Sequence, residues 1–187
     1  MKNLLRPVAG ILAILASASA FAQSGDPYIH DPSSIVECDG KYYTFGTGGG
    51  GLISEDGWHW YSGAVRPGGG AAPDAMKIGG RYLVVYGTTG GGTGGGHASK
   101  IMTMWNKTLD PNSPDFAYSE PVMVCESLID EDFNAIDPGL LLGPDGRLWL
   151  TCGTYFGHIR QVEIDPKTGF RVEGNEAIDV GRNMEAS

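Results

Sequence analysis

The chain has 187 residues, with 30 glycines, 22 acidic residues against 13 basic ones, and a net charge of −9. This charge has the wrong sign for a surface that binds nucleic acid or an anionic membrane, so the sequence predicts neither partner. It is compatible with a neutral partner such as a sugar polymer. The length corresponds to one domain.

The first 22 residues have the pattern of an export signal. Lys2 and Arg6 precede an apolar run over 8–18, and Ala20-Phe21-Ala22 is a small-x-small cleavage site. The apolar run is shorter than the roughly 20 residues that span a bilayer. We therefore predict a signal peptide over 1–22, a mature chain over 23–187 without a membrane anchor, and a secreted or periplasmic protein.

The mature chain is predicted to be all-β, because short apolar segments alternate with Gly, Pro, Asp and Asn. The segments fall into three units of four strands. The predicted strands are 34–38, 41–47, 51–54 and 59–62 in the first unit, 75–78, 81–87, 98–105 and 121–125 in the second, and 139–142, 147–153, 158–164 and 170–172 running on toward 180 in the third. Repeated four-stranded meanders are typical of β-propeller blades.

An Asp-Pro pair introduces the first strand of two of these units. Asp31, preceded by His30, opens the first unit, and Asp137 opens the third; a weaker copy in the second unit carries Asp74 after its proline. An Asp-Pro turn before a strand is common by itself. Because an acid just before the innermost strand of a blade faces the propeller axis, the recurrence predicts that these acids meet there. Carboxylate pairs cleave glycosidic bonds.

Four short motifs together resemble glycoside hydrolase family 43, especially its arabinan endo-1,5-α-L-arabinosidases and arabinofuranosidases. The motifs are His30-Asp31-Pro32, Ala72-Pro73-Asp74-Ala75, Ala135-Ile136-Asp137-Pro138 and Met184-Glu185-Ala186. The resemblance implies a five-bladed β-propeller, of which about three blades are present, and hydrolysis with inversion. Since five blades need about 200–250 residues, we interpret the chain as the front part of a longer protein.

The same resemblance assigns roles to individual residues. Asp31 matches the general base that activates water, Asp137 the acid that tunes and holds the proton donor, and Glu185 the general acid. His30 and Asp74 are expected to bind substrate. The chemistry needs no cofactor, and a structural calcium ion in the complete propeller stays open. The expected partner is a polysaccharide or oligosaccharide, and the expected state is a monomer.

Two other functions stay open at this level. The same fold acting on β-xylosides or arabinoxylan is one, and a non-catalytic glycan-binding propeller is the other. The sequence does not decide between endo and exo cleavage. Cys38 and Cys152 stand in apolar strands, which favours free buried thiols, and one disulfide with one free thiol among Cys38, Cys125 and Cys152 is the alternative.

Overall fold

The computed structural model describes residues 24–25, 28–89, 98–153 and 157–183. The predicted signal peptide over 1–22 and Glu185 lie outside these ranges. The described residues form strands and turns, and among them no helix has the length and hydrophobicity needed to cross a bilayer.

The strands form three sheets, each containing a four-stranded antiparallel meander. Sheet 1 consists of β1 (Ser24–Gly25), β2 (Val36–Cys38), β3 (Lys41–Phe45), β4 (Gly50–Ser54) and β5 (His59–Val65). Sheet 2 consists of β6 (Ala71–Ile78), β7 (Arg81–Thr89), β8 (Ser99–Asn106) and β9 (Val122–Ser127). Sheet 3 consists of β10 (Gly139–Leu142), β11 (Leu148–Cys152), β12 (Gly157–Ile164) and β13 (Ile178–Asn183). The predicted all-β class and the three four-stranded units are confirmed. The short β1, which pairs in parallel with β5, is an addition.

A two-residue turn fixes the register of the first hairpin. Asp39 and Gly40 lie between the paired residues Cys38 and Lys41, and their φ angles are 52° and 78°. Positive φ at both central positions is the type I′ geometry that matches the twist of the flanking strands. The sequence Asp-Gly therefore closes this hairpin at the predicted place.

Sheet 2 lies between the other two and buries both of its faces. Along β7, Leu83 and Val85 belong to the apolar cluster shared with sheet 3, whereas Tyr82, Val84 and Tyr86 belong to the cluster shared with sheet 1. This alternation follows from the two-residue period of a strand. The apolar run in β7 thus packs all three sheets face to face.

The predicted fourth strand of the third unit is wrong in position. Residues 170–172 form a single bridge between Arg171 and Ile164, and the strand is β13 instead. A turn closed by the Gly169 N–H on the Asp165 carbonyl at 2.8 Å directs the chain back along β12. The ladder then stops near Gly174, whose φ is 79°, and resumes where Ile178 pairs with Gln161.

The loop that leads to Asp137 is fixed against β12. Gly157 has a φ of 72°, and a Cβ there would collide with the Asp132 carbonyl oxygen. The next amide, that of His158, donates to the same carbonyl at 3.0 Å. The Arg160 guanidinium contacts the Asp132 carboxylate at 2.8 Å and that of Asp179 at 3.0 Å. Close backbone approach and these ion pairs hold the loop in one place.

Candidate active site

Three residues at matched positions have a strained backbone. Asp31, Ala72 and Asp137 have φ angles of 50°, 42° and 47°, and each precedes a proline. A residue before proline normally adopts an extended conformation, and positive φ is uncommon outside glycine. Such outliers are concentrated at functional sites. The true counterpart of Asp31 and Asp137 in sheet 2 is therefore Ala72, and Asp74 lies two residues further along the chain.

The Asp74 carboxylate connects all three sheets near this point. Asp74 belongs to β6 and is 8% exposed. Its Oδ1 accepts the Ser34 N–H at 3.0 Å, and its Oδ2 accepts the Leu140 N–H at 2.8 Å. Ser34 is three residues after Asp31, and Leu140 is three residues after Asp137. One buried carboxylate thus holds together the two segments that carry the predicted catalytic acids.

Asp31 is oriented by two side chains. Its Oδ2 accepts a hydrogen bond from the Thr47 hydroxyl at 2.8 Å and lies 2.8 Å from His30 Nδ1. The Thr47 oxygen in turn accepts the Ala72 N–H at 2.9 Å. The side chains of His30 and Asp31 are 69% and 40% exposed, so their pairing adds little stability. It fixes direction instead, and it leaves Asp31 open to solvent.

The loop that carries Thr47 is held by a buried arginine. Arg66 is 2% exposed and stacks 4.5 Å from the centre of the Tyr86 ring. Its guanidinium donates to the Gly46 carbonyl at 3.3 Å and to the Gly69 carbonyl, which joins the loop after β3 to the connection between β5 and β6. Burial lowers the pKa of Arg66 from its ordinary value. Carbonyl dipoles and the tyrosine ring stabilise the charge there.

The negative charge of Asp31 acts on the carboxyl group of Asp137. The pKa of the Asp137 carboxyl is raised, first because the surrounding protein desolvates it and second because the Asp31 carboxylate repels a second negative charge. Asp137 nevertheless stays accessible to solvent. A carboxyl group whose pKa is raised beside a second carboxylate is an arrangement from which acid and base roles are divided in hydrolases.

A cavity of about 330 Å³ lies next to the two side chains that contact Asp31. Its lining includes His30, Thr47, Tyr28, Leu52 and Ser62. The volume is at the lower end of the roughly 300–1,000 Å³ of small-ligand pockets. Neither Asp31 nor Asp137 lines it, so the cavity is connected with the predicted acids only through His30 and Thr47.

The structure brings together four of the five predicted site residues. His30 contacts Asp31, the charge of Asp31 acts on Asp137, Asp74 accepts the backbone amides three residues after each of these two acids, and Glu185 is outside the described ranges. Sequence reasoning missed Thr47, which no motif marks. Within the described parts of the chain, no group of three or more His, Cys, Asp or Glu side chains is placed to hold a metal ion.

Comparison with known proteins identifies relatives along most of the chain, although no family model matches it. It is 31% identical over 173 residues to an extracellular exo-α-(1→5)-L-arabinofuranosidase of Cellvibrio japonicus, covering 82% of this chain and 48% of that protein. It is 30% identical over 162 residues to a probable arabinan endo-1,5-α-L-arabinosidase A of Aspergillus oryzae, covering 79% and 48%. The chain spans about half the length of the curated relatives it matches.

Comparison with solved structures also identifies arabinanases. An exo-1,5-α-L-arabinanase from a bovine ruminal metagenomic library superposes with a TM-score of 0.70 at 32% identity, over 82% of this chain and 55% of that one. A family 43 endo-arabinanase from Bacillus licheniformis superposes with a TM-score of 0.71 at 24% identity, over 88% and 60%, which shows a shared fold. Along most of its length the chain is therefore similar in sequence to arabinanases and arabinofuranosidases, and it shares the fold of a family 43 endo-arabinanase.

Proposed function

We propose that the complete protein is an exported glycoside hydrolase that cleaves α-L-arabinofuranosyl linkages of arabinan with inversion, on a five-bladed β-propeller. The observation that carries the proposal is the buried Asp74 carboxylate, which holds the segment after Asp31 and the segment after Asp137 on its two oxygens. The similar proteins are named as enzymes of arabinan or arabinofuranosides, and one of them is extracellular, which supports the proposed substrate and the proposed export.

In the proposed reaction, Asp31 is the general base. Both orienting contacts, from Thr47 and His30, fall on its Oδ2. We therefore assign Oδ1 to the attacking water. Asp31 takes a proton from that water as its oxygen bonds to the anomeric carbon, and the glycosidic oxygen leaves with a proton from the general acid. Configuration inverts because water attacks the face opposite the leaving group.

Glu185 is the proposed general acid, and Asp137 is the proposed acid that tunes it. A nearby negative charge disfavours ionisation of the donor and so keeps its proton available near neutral pH. His30, with an exposed ring beside Asp31, is the proposed substrate contact. Asp74 uses both oxygens on backbone amides, and we assign it the role of a clamp that sets the spacing of Asp31 and Asp137.

The test is a product assay on the complete protein. Linear 1,5-linked arabinan, arabinoxylan and a chromogenic β-xyloside are the substrates. The proposal expects new reducing ends from arabinan, with the released sugar first visible as the β-anomer in proton NMR. Preferential hydrolysis of the xyloside would overturn the assignment of arabinan as the substrate. Saturable binding to arabinan without hydrolysis would overturn the activity, and an α-anomer as first product would overturn the inverting mechanism.

A further inference from the structure

Two buried cysteines from different sheets lie against each other. Cys125 is on β9 of sheet 2 and Cys152 is on β11 of sheet 3, with their Sγ atoms 3.4 Å apart. They are 5% and 1% exposed and belong to the apolar cluster between the two sheets. Closing a bond requires the sulfurs to approach by about 1.4 Å, to the roughly 2.0 Å of a disulfide.

We propose that Cys125 and Cys152 form a disulfide that joins sheet 2 to sheet 3 when the protein folds in an oxidising compartment. A small disulfide such as glutathione disulfide is the oxidant class. One of the two cysteine thiolates attacks one of its sulfurs and releases one glutathione thiolate. The other cysteine thiolate then attacks the protein sulfur of this mixed disulfide and releases the second glutathione thiolate. The protein loses two protons and two electrons, and the oxidant becomes two glutathione thiols.

The thiolate is the nucleophile in exchange, so the oxidant must reach both sulfurs before the bond can form. Because the folded protein buries both sulfurs, the exchange belongs to the stage of folding before sheets 2 and 3 close over them.

The cross-link bears on the candidate site. The closed loop from Cys125 to Cys152 contains Asp137, and the Gly153 N–H, next to Cys152, donates to the Ile136 carbonyl at 2.8 Å. A covalent bond here restricts the segment that carries Asp137. The disulfide also lowers the conformational entropy of the unfolded chain and so stabilises the fold. Its reduction should therefore lower the melting temperature by roughly 5–15 °C.

The third cysteine is a built-in control. Cys38 is 1% exposed but lies in sheet 1, where its sulfur accepts the Leu109 N–H at 3.3 Å and lies 3.5 Å from the Thr108 hydroxyl. It has comparable burial and a different set of neighbours. The proposal therefore expects Cys38 to stay a thiol under conditions that oxidise the other two.

The experiment refolds the complete reduced protein in a glutathione and glutathione disulfide buffer. Free thiols are then alkylated in denaturant, and peptides are mapped by mass spectrometry without reduction. The expected result is a linked peptide pair containing Cys125 and Cys152, lighter by two hydrogen atoms than its separate thiol forms, together with alkylated Cys38. Alkylation of all three residues, or a link to Cys38, would overturn the proposal.

Two variants separate the cross-link from general effects of reductant. Cys38→Ala should keep the linked peptide and the drop in melting temperature on reduction. Cys152→Ala should lose the linked peptide, gain alkylated Cys125, and melt at the same temperature with and without reductant. An equal response of wild type and Cys152→Ala to reductant would contradict the proposal, whatever activity the protein has.

Discussion

Replacing Asp74 by asparagine tests the clamp beneath the site. Each bond from a backbone amide to this buried carboxylate, at 3.0 and 2.8 Å, is of the charged type worth about 1.5–3 kcal/mol. Asparagine keeps one neutral acceptor and turns an amino group toward the other N–H, which leaves a buried donor unsatisfied. We expect Asp74→Asn to lower the free energy of unfolding by about 2–4 kcal/mol.

The assay is urea unfolding of the complete protein, with kcat and KM on linear arabinan measured in parallel. Asp115→Asn is the matched control, since it makes the same change at an exposed position, where about 0.5 kcal/mol or less is expected. If Asp74 sets the spacing of Asp31 and Asp137, Asp74→Asn should lower both the stability and kcat. Unchanged unfolding with a raised KM alone would refute this reasoning and return Asp74 to substrate binding.

Three further predictions concern the surroundings of this clamp. Thr47→Val removes the hydroxyl that orients Asp31 and should lower kcat by roughly 10- to 100-fold with little change in KM, while Thr47→Ser should restore activity; equal kcat in both variants would contradict the relay. Because the pKa of Asp137 is raised, its contribution to stability is complete below the ordinary value near 3.9 and is lost as pH rises through the raised pKa. The Asp137→Asn variant should therefore gain stability over wild type across that window, and carboxyl carbon-13 titration should give a lower pKa for Asp137 in Asp31→Asn; an unchanged titration would contradict the coupling. Gly157→Ala should destabilise the protein more than Gly174→Ala does, since both have positive φ but only the first Cβ meets a backbone carbonyl; equal melting temperatures would show that the collision is relieved.

The sequence predicts strands well where turn chemistry and period agree. Asp39-Gly40 has the residue types of a type I′ turn, and the structure uses it as such. Residues 170–172 have similar local preferences but pair only once, because the length of chain that lies beside β12 is set by the turn at 165–169 and by Gly174. The local sequence pattern of residues 170–172 does not show that the turn and Gly174 limit their pairing with β12.

The candidate site was predictable only in part for the same reason. Asp31 and Asp137 carry a repeated Asp-Pro signal, and strain at both positions confirms that the repeats are equivalent. Thr47 stands in a glycine-rich loop with no periodic pattern, so its contact with Asp31 depends on how two connections pack. The proximity of Cys125 and Cys152 likewise arises from the docking of two sheets.

Turnover of linear arabinan by the complete protein carrying Asp31→Asn tests the central claim most directly. The substitution removes the proposed base but keeps the size of the side chain. The account predicts that kcat falls by about 10²- to 10⁴-fold with the urea unfolding midpoint unchanged, while Asp115→Asn keeps wild-type turnover. Turnover within about threefold of wild type in Asp31→Asn would contradict the assignment of Asp31 as the base.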